Sequence, residues 1–145
     1  MLNIKLINKS KNVNPNYQRE GDAGVDLHCD LETEKVIKPF ERVLIPTGIY
    51  ISLPENYEAQ VRPRSGLAIN HGITVINSPG TIDSNYTGEI KIGLINLSTT
   101  DYTISSGERV AQLVFSPVEK VKFITVDVLE STARNEKGFG SSGKF

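Results

Sequence analysis

Apolar and polar residues alternate in short runs along the whole chain. This period of two recurs at residues 2–6, 57–62, 110–115 and 121–126. Alternation of this kind predicts half-buried β-strands, because successive side chains of a strand point to opposite faces of its sheet. No window of helical length carries a sustained apolar stripe at the 3.6-residue spacing of a helix. The pattern therefore predicts an all-β protein.

Turn-forming residues separate these runs at close spacing. Further strand-like stretches lie at residues 24–29, 36–40, 42–53, 73–76 and 89–97. Pro46 and Gly48 interrupt the longest of them, and residues 98–107 are polar and typical of turns. Only residues 67–71 suit a helical turn, which Gly72 would end. Many short strands with one short helix predict a β-sandwich or barrel.

One segment, residues 77–89, carries polar chemistry between two strand-like arms. Its sequence, Asn-Ser-Pro-Gly-Thr-Ile-Asp-Ser-Asn-Tyr-Thr-Gly-Glu, is typical of a β-hairpin turn with its flanks. Asp83 and Tyr86 lie on this loop, and loops held by a rigid sheet are common places for catalytic residues. The same pair also suits an ordinary surface turn, in which the aspartate caps a backbone N–H and the tyrosine packs as a lid.

Composition limits the partners of the chain. Its 145 residues suffice for one domain with its own core. The formal net charge of -1 argues against stable binding to nucleic acid or to an anionic membrane. Cys29 is the only cysteine, which suits a reducing compartment, and there is neither a run of membrane-spanning length nor a secretory signal. We therefore expect a cytoplasmic protein.

Residues 131–145 differ in composition from residues 1–130. Three glycines and three serines stand there, with almost nothing to bury. This composition predicts a mobile tail after a single β-rich domain. Phe139, between two glycines, is unusual for a mere linker, and its ring could close over a flat ligand.

Five segments together resemble, in order and spacing, the five motifs of the homotrimeric dUTPase family. They are Ala-Gly-Val-Asp-Leu at 23–27, Pro-Arg-Ser-Gly-Leu-Ala at 63–68, Gly-Thr-Ile-Asp-Ser-Asn-Tyr-Thr-Gly-Glu at 80–89, Gly-Glu-Arg-Val-Ala-Gln-Leu-Val at 107–114, and Arg134 with the glycine-rich tail. Each motif alone is weak, but the ordered set is specific. The resemblance implies a distorted jelly-roll sandwich that forms a homotrimer with exchanged C-terminal tails.

That resemblance implies the hydrolysis of dUTP to dUMP and pyrophosphate, which limits uracil incorporation into DNA and supplies dUMP for dTMP synthesis. In-line attack of water on the α-phosphorus needs a base to hold the proton and cations around the phosphates. Asp83 matches the family's water-activating carboxylate. Asp26 matches the acid that holds Mg²⁺ largely through metal-bound water, and few protein carboxylates suffice because magnesium keeps much of its water shell.

The resemblance also implies a substrate site. Arg64, Ser65 and Gln112 match phosphate contacts, although the pattern around Gln112 equally fits an outward-facing surface glutamine. Tyr86 would lie under the deoxyribose and exclude a 2′-hydroxyl, while Asn77 and strand backbone would select uracil. The implied substrate-binding residues are Arg64, Ser65, Gly66, Asn77, Gly80, Thr81, Ile82, Tyr86, Gln112, Arg134, Phe139, Gly140 and Ser141.

In such a trimer each active site is shared between subunits. One subunit would give the residues around Asp26 and Arg64, a second the segment 77–89, and a third the tail. In the tail, Arg134 would contact the γ-phosphate and the Phe139 ring would stack on the uracil. The tail departs from the family pattern, because Asn-Glu-Lys stands where glycine is common between this arginine and phenylalanine.

Two further readings concern residues next to the motifs. Arg109 adjoins Glu108, so we expect a structural ion pair between them rather than a catalytic role. His28, Cys29 and Asp30 could suggest a zinc site, but a single cysteine without a second ligand cluster argues against it.

Two alternative functions stay open at the level of sequence. A dCTP deaminase of the related fold would release ammonia from dCTP and would not need the Gly-Phe-Gly tail. A non-enzymatic jelly-roll module would bind a nucleotide or a protein without releasing pyrophosphate, since β-sandwiches host many functions.

Overall fold

Ten strands and one short helix make up the part of the chain that the computed structural model describes, residues 2–132 and 135. In chain order the elements are β1 (Lys5–Asn8), β2 (Gly24–His28), β3 (Lys35–Ile37), β4 (Arg42–Ser52), β5 (Tyr57–Arg62), α1 (Ser65–His71), β6 (Ile73–Val75), β7 (Gly80–Ile82), β8 (Glu89–Asn96), β9 (Tyr102–Ile104) and β10 (Arg109–Pro117). One four-stranded sheet has the order β1-β4-β8-β6, the other the order β2-β10-β5-β7, and β3 pairs with β9. The predicted all-β jelly-roll sandwich is confirmed.

The two four-stranded sheets bury one aliphatic core between them. Alternate residues of β2 and β8 point inward, and in β8 Ile90, Ile92 and Leu94 are fully buried. From the other sheet Leu27, Ala59 and Leu113 close the same cluster. Burial of each large aliphatic side chain stabilises the fold by about 1.5–3 kcal/mol. In β2 and β8 the period of two in the sequence thus corresponds to the face that meets the core.

The helix α1 connects β5 to β6 and stops where the sequence predicts. Gly72 adopts φ 70°, in the left-handed region, and its N–H donates to the carbonyl of Ala68. A β-carbon at this position would also lie 2.9 Å from the backbone nitrogen of Ser98. A glycine is therefore required on both conformational and packing grounds. The helix begins at Ser65, two residues before the predicted start.

The arms on either side of residues 77–89 pair as a hairpin, since β6 and β8 are antiparallel neighbours, but the segment between them is not a single turn. β7 lies in one sheet, where it pairs with β5, whereas β8 lies in the other sheet, between β4 and β6. The chain forms its antiparallel pair between β6 and β8, and residues 76–88 leave that pair to reach the second sheet. The turn-forming residues predict one tight turn, whereas the chain bends once before β7 and again after it.

The predicted strand at 121–126 is also wrong, since no strand follows β10 in the described residues. Val121, Phe123 and Val126 are 71%, 91% and 55% exposed. Lys122 does separate Val121 from Phe123, but none of the strands in the described part of the chain lies beside this segment to pair with it. A strand of three residues, β9, lies instead within the segment 98–107 that was predicted to form turns.

Candidate active site

A carboxylate lies between two arginines, where the middle of β2 meets the residue before α1 and the start of β10. Asp26 on β2 accepts a hydrogen bond from Nε of Arg64 at 3.0 Å through one oxygen, and from Nη1 of Arg109 at 3.0 Å through the other. Arg64 immediately precedes α1, and Arg109 begins β10. Arg64 also donates through Nη1 to the carbonyl of Arg109 at 3.0 Å. We call these three residues the acid–arginine cluster.

The expected pairing of Arg109 with Glu108 is wrong. Glu108 instead accepts hydrogen bonds from the Tyr102 hydroxyl and the Ser105 backbone N–H. Sequence reasoning missed the place of Arg109 in the acid–arginine cluster, because its partner Asp26 lies 83 residues away along the chain. The pairing of Arg109 on β10 with His28 on β2 brings Arg109 close to Asp26. Nothing in the sequence around Arg109 indicates this pairing.

Gln112 adjoins the acid–arginine cluster and faces it rather than open solvent. On β10 it pairs with Asp26 of β2 on one side and with Arg62 of β5 on the other. Its side-chain amide donates to the carbonyl of Pro63 at 3.0 Å, which links β10 to the turn that carries Arg64. Ser65 and Gly66, the next residues, are exposed at the start of α1.

The two ionisable side chains that follow Asp26 closely in sequence, His28 and Cys29, have different surroundings. Burial lowers the pKa of His28, with Asp26 opposing and Arg109 and Arg64 adding to the decrease. The next residue, Cys29, points to the opposite face, where burial raises the pKa of its thiol and Sγ contacts the Ser105 carbonyl. Residues 2–132 and 135 contain no group of three or more His, Cys, Asp or Glu side chains arranged to hold a metal ion.

A second set of predicted residues lines a cleft after β7. Asp83 is exposed directly behind the strand, and the backbone N–H of Tyr86 donates to the carbonyl of Asp83 at 3.0 Å to close a turn. The cleft has a volume of about 270 Å³ and is lined by Leu44, Thr81, Ile82, Asp83, Tyr86, Glu89 and Lys91. Of these, Leu44, Glu89 and Lys91 were not predicted. They come from the other sheet, which β7 approaches only in the folded chain.

Asn77 and Gly80 lie beside this cleft at the edge of a sheet. β7 is the last strand of the order β2-β10-β5-β7, so alternate residues direct their N–H and C=O groups away from β5. The Asn77 amide packs against Gly80, where a β-carbon would lie 3.2 Å from Nδ2. Backbone and amide groups together offer both donors and acceptors to a planar ligand.

The acid–arginine cluster and the Asp83 cleft lie at opposite ends of β5. Ile82, the residue before Asp83, pairs with Ala59, whereas Gln112 pairs with Arg62. Antiparallel pairing carries Asp83 further toward the start of β5, while Arg64 follows its end. At a rise of roughly 3.3 Å per residue the two ends are about 20 Å apart. Within one chain the predicted residues thus form two groups rather than one site.

Four predicted site residues, Arg134, Phe139, Gly140 and Ser141, lie outside the described residues. A further cavity of about 310 Å³ between β1 and β10 is lined almost wholly by apolar side chains, with no charged group that would bind a phosphate. In residues 2–132 and 135, no helix is long and apolar enough to span a bilayer.

Known proteins resemble the chain in sequence and in fold. A family model described as dUTPase matches residues 10–143. The deoxyuridine 5'-triphosphate nucleotidohydrolase of Finegoldia magna is 54% identical over 98% of this chain and 99% of its own length. That of Cytophaga hutchinsonii is 53% identical over 97% and 92%. The solved dUTPase of Staphylococcus bacteriophage 80alpha with dUPNHPP is 28% identical, with a TM-score of 0.89 over 99% of both chains.

Proposed function

The chain belongs to the dUTPase family, and from that premise we propose that it hydrolyses dUTP to dUMP and pyrophosphate with Asp83 activating the attacking water. It is accordingly a dUTP diphosphatase, which would limit uracil incorporation into DNA and supply dUMP for dTMP synthesis. We assign this role to Asp83 because of its position. Its exposed carboxylate lines a cleft together with Tyr86 and residues of the edge strand β7.

Asp83 is suited to hold the proton of a water. No described cation lies within ion-pair distance of its carboxylate, whereas Asp26 is engaged by two arginines. An exposed, unpaired carboxylate accepts a proton from water as the water attacks the α-phosphorus, and the proton can pass to solvent afterwards. The leaving group is pyrophosphate, and the product keeps the α-phosphate as dUMP.

Base selection is assigned to Asn77 and β7. The edge of uracil presents an acceptor, a donor and a second acceptor, which outward N–H and C=O groups of an edge strand can match. Asn77, held against Gly80, would complete the pattern. Cytosine reverses part of the pattern and would leave buried polar groups unpaired, so such a site rejects it by a factor on the order of 10⁴.

Phosphate binding is assigned to Arg64, Ser65 and Gln112. The donors of Arg64 that Asp26 and the Arg109 carbonyl leave free can bind phosphate oxygens, each such contact contributing about 1.5–3 kcal/mol. Gln112 holds the turn before Arg64 through the Pro63 carbonyl and keeps a second amide hydrogen for substrate.

The residues present fit a magnesium ion held through water. Each Asp26 oxygen accepts one hydrogen bond from an arginine and keeps a lone pair for a metal-bound water. When bound, Mg²⁺ would neutralise charge on the phosphates. Asp26 would therefore orient the hydrated ion, while the two arginines hold that carboxylate in place.

A complete site requires more than one copy of the chain. The acid–arginine cluster and the Asp83 cleft lie about 20 Å apart along β5, too far to meet one triphosphate. In a homotrimer one subunit would supply Asp26 and Arg64, its neighbour the Asp83 cleft, and the third a tail with Arg134 and Phe139. In a closed cyclic trimer, the same surface of each copy meets a different surface of the next copy. Three equivalent contacts, and therefore three equivalent sites, are formed in this way.

The test of this function replaces Asp83 by asparagine. Asp83→Asn keeps the size of the side chain but removes its proton affinity, so we expect pyrophosphate release from dUTP to fall by about 10²- to 10⁴-fold. Binding of a non-hydrolysable dUTP analogue, followed by calorimetry, should change little.

The matched control is Asp101→Asn, another exposed loop aspartate, in the turn before β9. It should leave turnover at the level of the unaltered protein. Undiminished turnover by Asp83→Asn would refute the assignment of the base. Ammonia release from dCTP by the unaltered protein would instead point to the deaminase alternative.

A further inference from the structure

The ring of Tyr86 lies directly over the α-carbon of Gly88. A β-carbon added to Gly88 would lie 2.6 Å from the phenol oxygen, 2.7 Å from Cζ and 3.0 Å from Cε2. These distances are shorter than non-bonded carbon contacts allow. The phenol end of Tyr86 can therefore occupy its present place only if residue 88 has no side chain.

Backbone conformation does not explain the glycine. The φ angle of Gly88 lies outside the positive range that disfavours other residues, whereas those of Gly48 and Gly72 lie within it. The three atoms nearest to a β-carbon at residue 88 all belong to the Tyr86 side chain.

One hydrogen bond anchors the ring, and a second fixes the residue to which it is anchored. The Tyr86 hydroxyl donates to the backbone carbonyl of Glu89 at 2.8 Å. Glu89 is itself fixed, since its carboxylate accepts the N–H of Gly48 on β4 at 3.0 Å and lies 3.6 Å from Nζ of Lys91. The ring is thus flat on residue 88 and anchored through residue 89, and it forms one wall of the cleft that holds Asp83.

We propose that Gly88 is a specificity-determining residue: its missing side chain lets the Tyr86 ring lie low enough to support a deoxyribose and to exclude a 2′-hydroxyl. This inference rests on the proposed function and on the place under the deoxyribose that the family resemblance implies for Tyr86. Any side chain at 88 lifts the phenol end of the ring, which changes the shape of the sugar site. Gly88 acts through Tyr86 and touches no substrate atom itself.

Replacement of Gly88 is expected to change the preference between sugars without changing the stability of the fold. Tyr86 is 44% exposed, and the atoms that an added methyl group would displace are at the end of its side chain. The ring can move toward solvent without disturbing the core. Gly88→Ala should therefore unfold at nearly the same temperature as the unaltered protein while it discriminates less between sugars.

The experiment compares kcat/KM for dUTP and UTP in five proteins: the unaltered chain, Gly88→Ala, Thr87→Ala, Tyr86→Ala and the double variant Tyr86→Ala/Gly88→Ala. We expect Gly88→Ala to lower the preference for dUTP over UTP by about tenfold or more, on the scale by which a pocket rejects an added hydroxyl. Thr87→Ala, an exposed neighbour outside this cleft, should keep the preference.

The double variant tests whether residue 88 affects the preference for dUTP through the Tyr86 ring. If Gly88 acts only through the ring, Gly88→Ala should add nothing to the loss already caused by Tyr86→Ala. Tyr86→Phe, which keeps the ring but removes its anchor to Glu89, should lower the preference by an intermediate factor. This variant decides the question if Gly88→Ala does not fold.

Three results would overturn the inference. The first is an unchanged dUTP/UTP preference in a folded Gly88→Ala variant. The second is an unchanged preference in Tyr86→Phe. The third is a double variant, Tyr86→Ala/Gly88→Ala, whose preference is lower than that of Tyr86→Ala by the full factor seen for Gly88→Ala alone. Failure of the proposed function looks different, because the unaltered protein would then release no pyrophosphate from dUTP.

Discussion

Asp26 illustrates how single residues of this site are held by partners far away in sequence. Its two oxygens accept hydrogen bonds from Arg64 and Arg109, which come from a helix start and a different strand. The side chain of Asp26 is only 15% exposed, so the loss of either partner leaves a poorly solvated charge. Arg109, for which the sequence predicted a pair with Glu108, therefore belongs to the end of the protein that we propose binds the phosphates.

Replacement of Arg109 tests that role. Arg109→Gln removes a charge-assisted hydrogen bond from Asp26 and frees that carboxylate to move, which should lower kcat/KM for dUTP by about tenfold. Steady-state pyrophosphate release measures the effect. Arg42→Gln, an exposed arginine at the start of β4, is the control and should be neutral. If kcat/KM for dUTP were the same in both variants, Arg109 would have no influence on Asp26 in catalysis.

Residues within one short turn could be predicted together, and residues brought together by the fold could not. Asp83 and Tyr86 are three positions apart and line the same cleft as expected. The partner of Arg109 depends on the pairing of β10 with β2, which no neighbour in sequence reveals. The same holds for Leu44, which reaches the Asp83 cleft from the opposite sheet.

Among the elements, β4 links the core to the Tyr86 loop through an irregular stretch. Its pairing with β8 shifts register between Pro46 and Tyr50, at the place where Pro46 and Gly48 were expected to interrupt the strand. The buried hydroxyl of Thr47 donates to the Ile90 carbonyl at 2.6 Å and accepts the N–H of Ile49 at 3.1 Å. These bonds replace the missing ladder contacts and present the Gly48 N–H to Glu89.

Thr47→Val tests the importance of this irregular stretch. Valine preserves the shape of threonine but leaves the Ile90 carbonyl and the Ile49 N–H without their partner, and each such buried group costs about 1–3 kcal/mol. We expect the free energy of unfolding, measured by urea titration at a fixed protein concentration, to fall by about 2–4 kcal/mol. Thr47→Ser keeps the hydroxyl and should lose less. Equal stability of the two variants would contradict the account.

Element predictions failed where the partner of a segment could not be known. The turn residues of 77–89 predicted a single turn between the paired arms β6 and β8, because sequence does not show that β7 forms within this segment and joins the sheet of β5. The alternating residues 121–126 predicted a strand, yet no neighbour in the described chain pairs with them. Short strands depend on their partners for stability, so local pattern alone could not decide either case.

For the whole molecule, the decisive feature is the distance between the two groups of site residues. The sheet order places the acid–arginine cluster at the end of β5 and Asp83 near its start. Sequence resemblance implies a site divided between subunits, and the strand register supports that proposal because it separates the two groups within one chain. Each group should therefore work together with the other group on a neighbouring copy.

Mixing two inactive variants tests this claim most directly. Arg64→Gln and Asp83→Asn are each expected to be nearly inactive as pure proteins. The two variants are unfolded together in equal amounts and refolded, so that subunits assemble at random. If each active site takes Arg64 from one subunit and Asp83 from another, about one quarter of the sites contain both unaltered residues. Pyrophosphate release from dUTP should then recover to about a quarter of the unaltered level. A mixture that stays as inactive as its components would show that both groups act within a single chain, and would contradict the account.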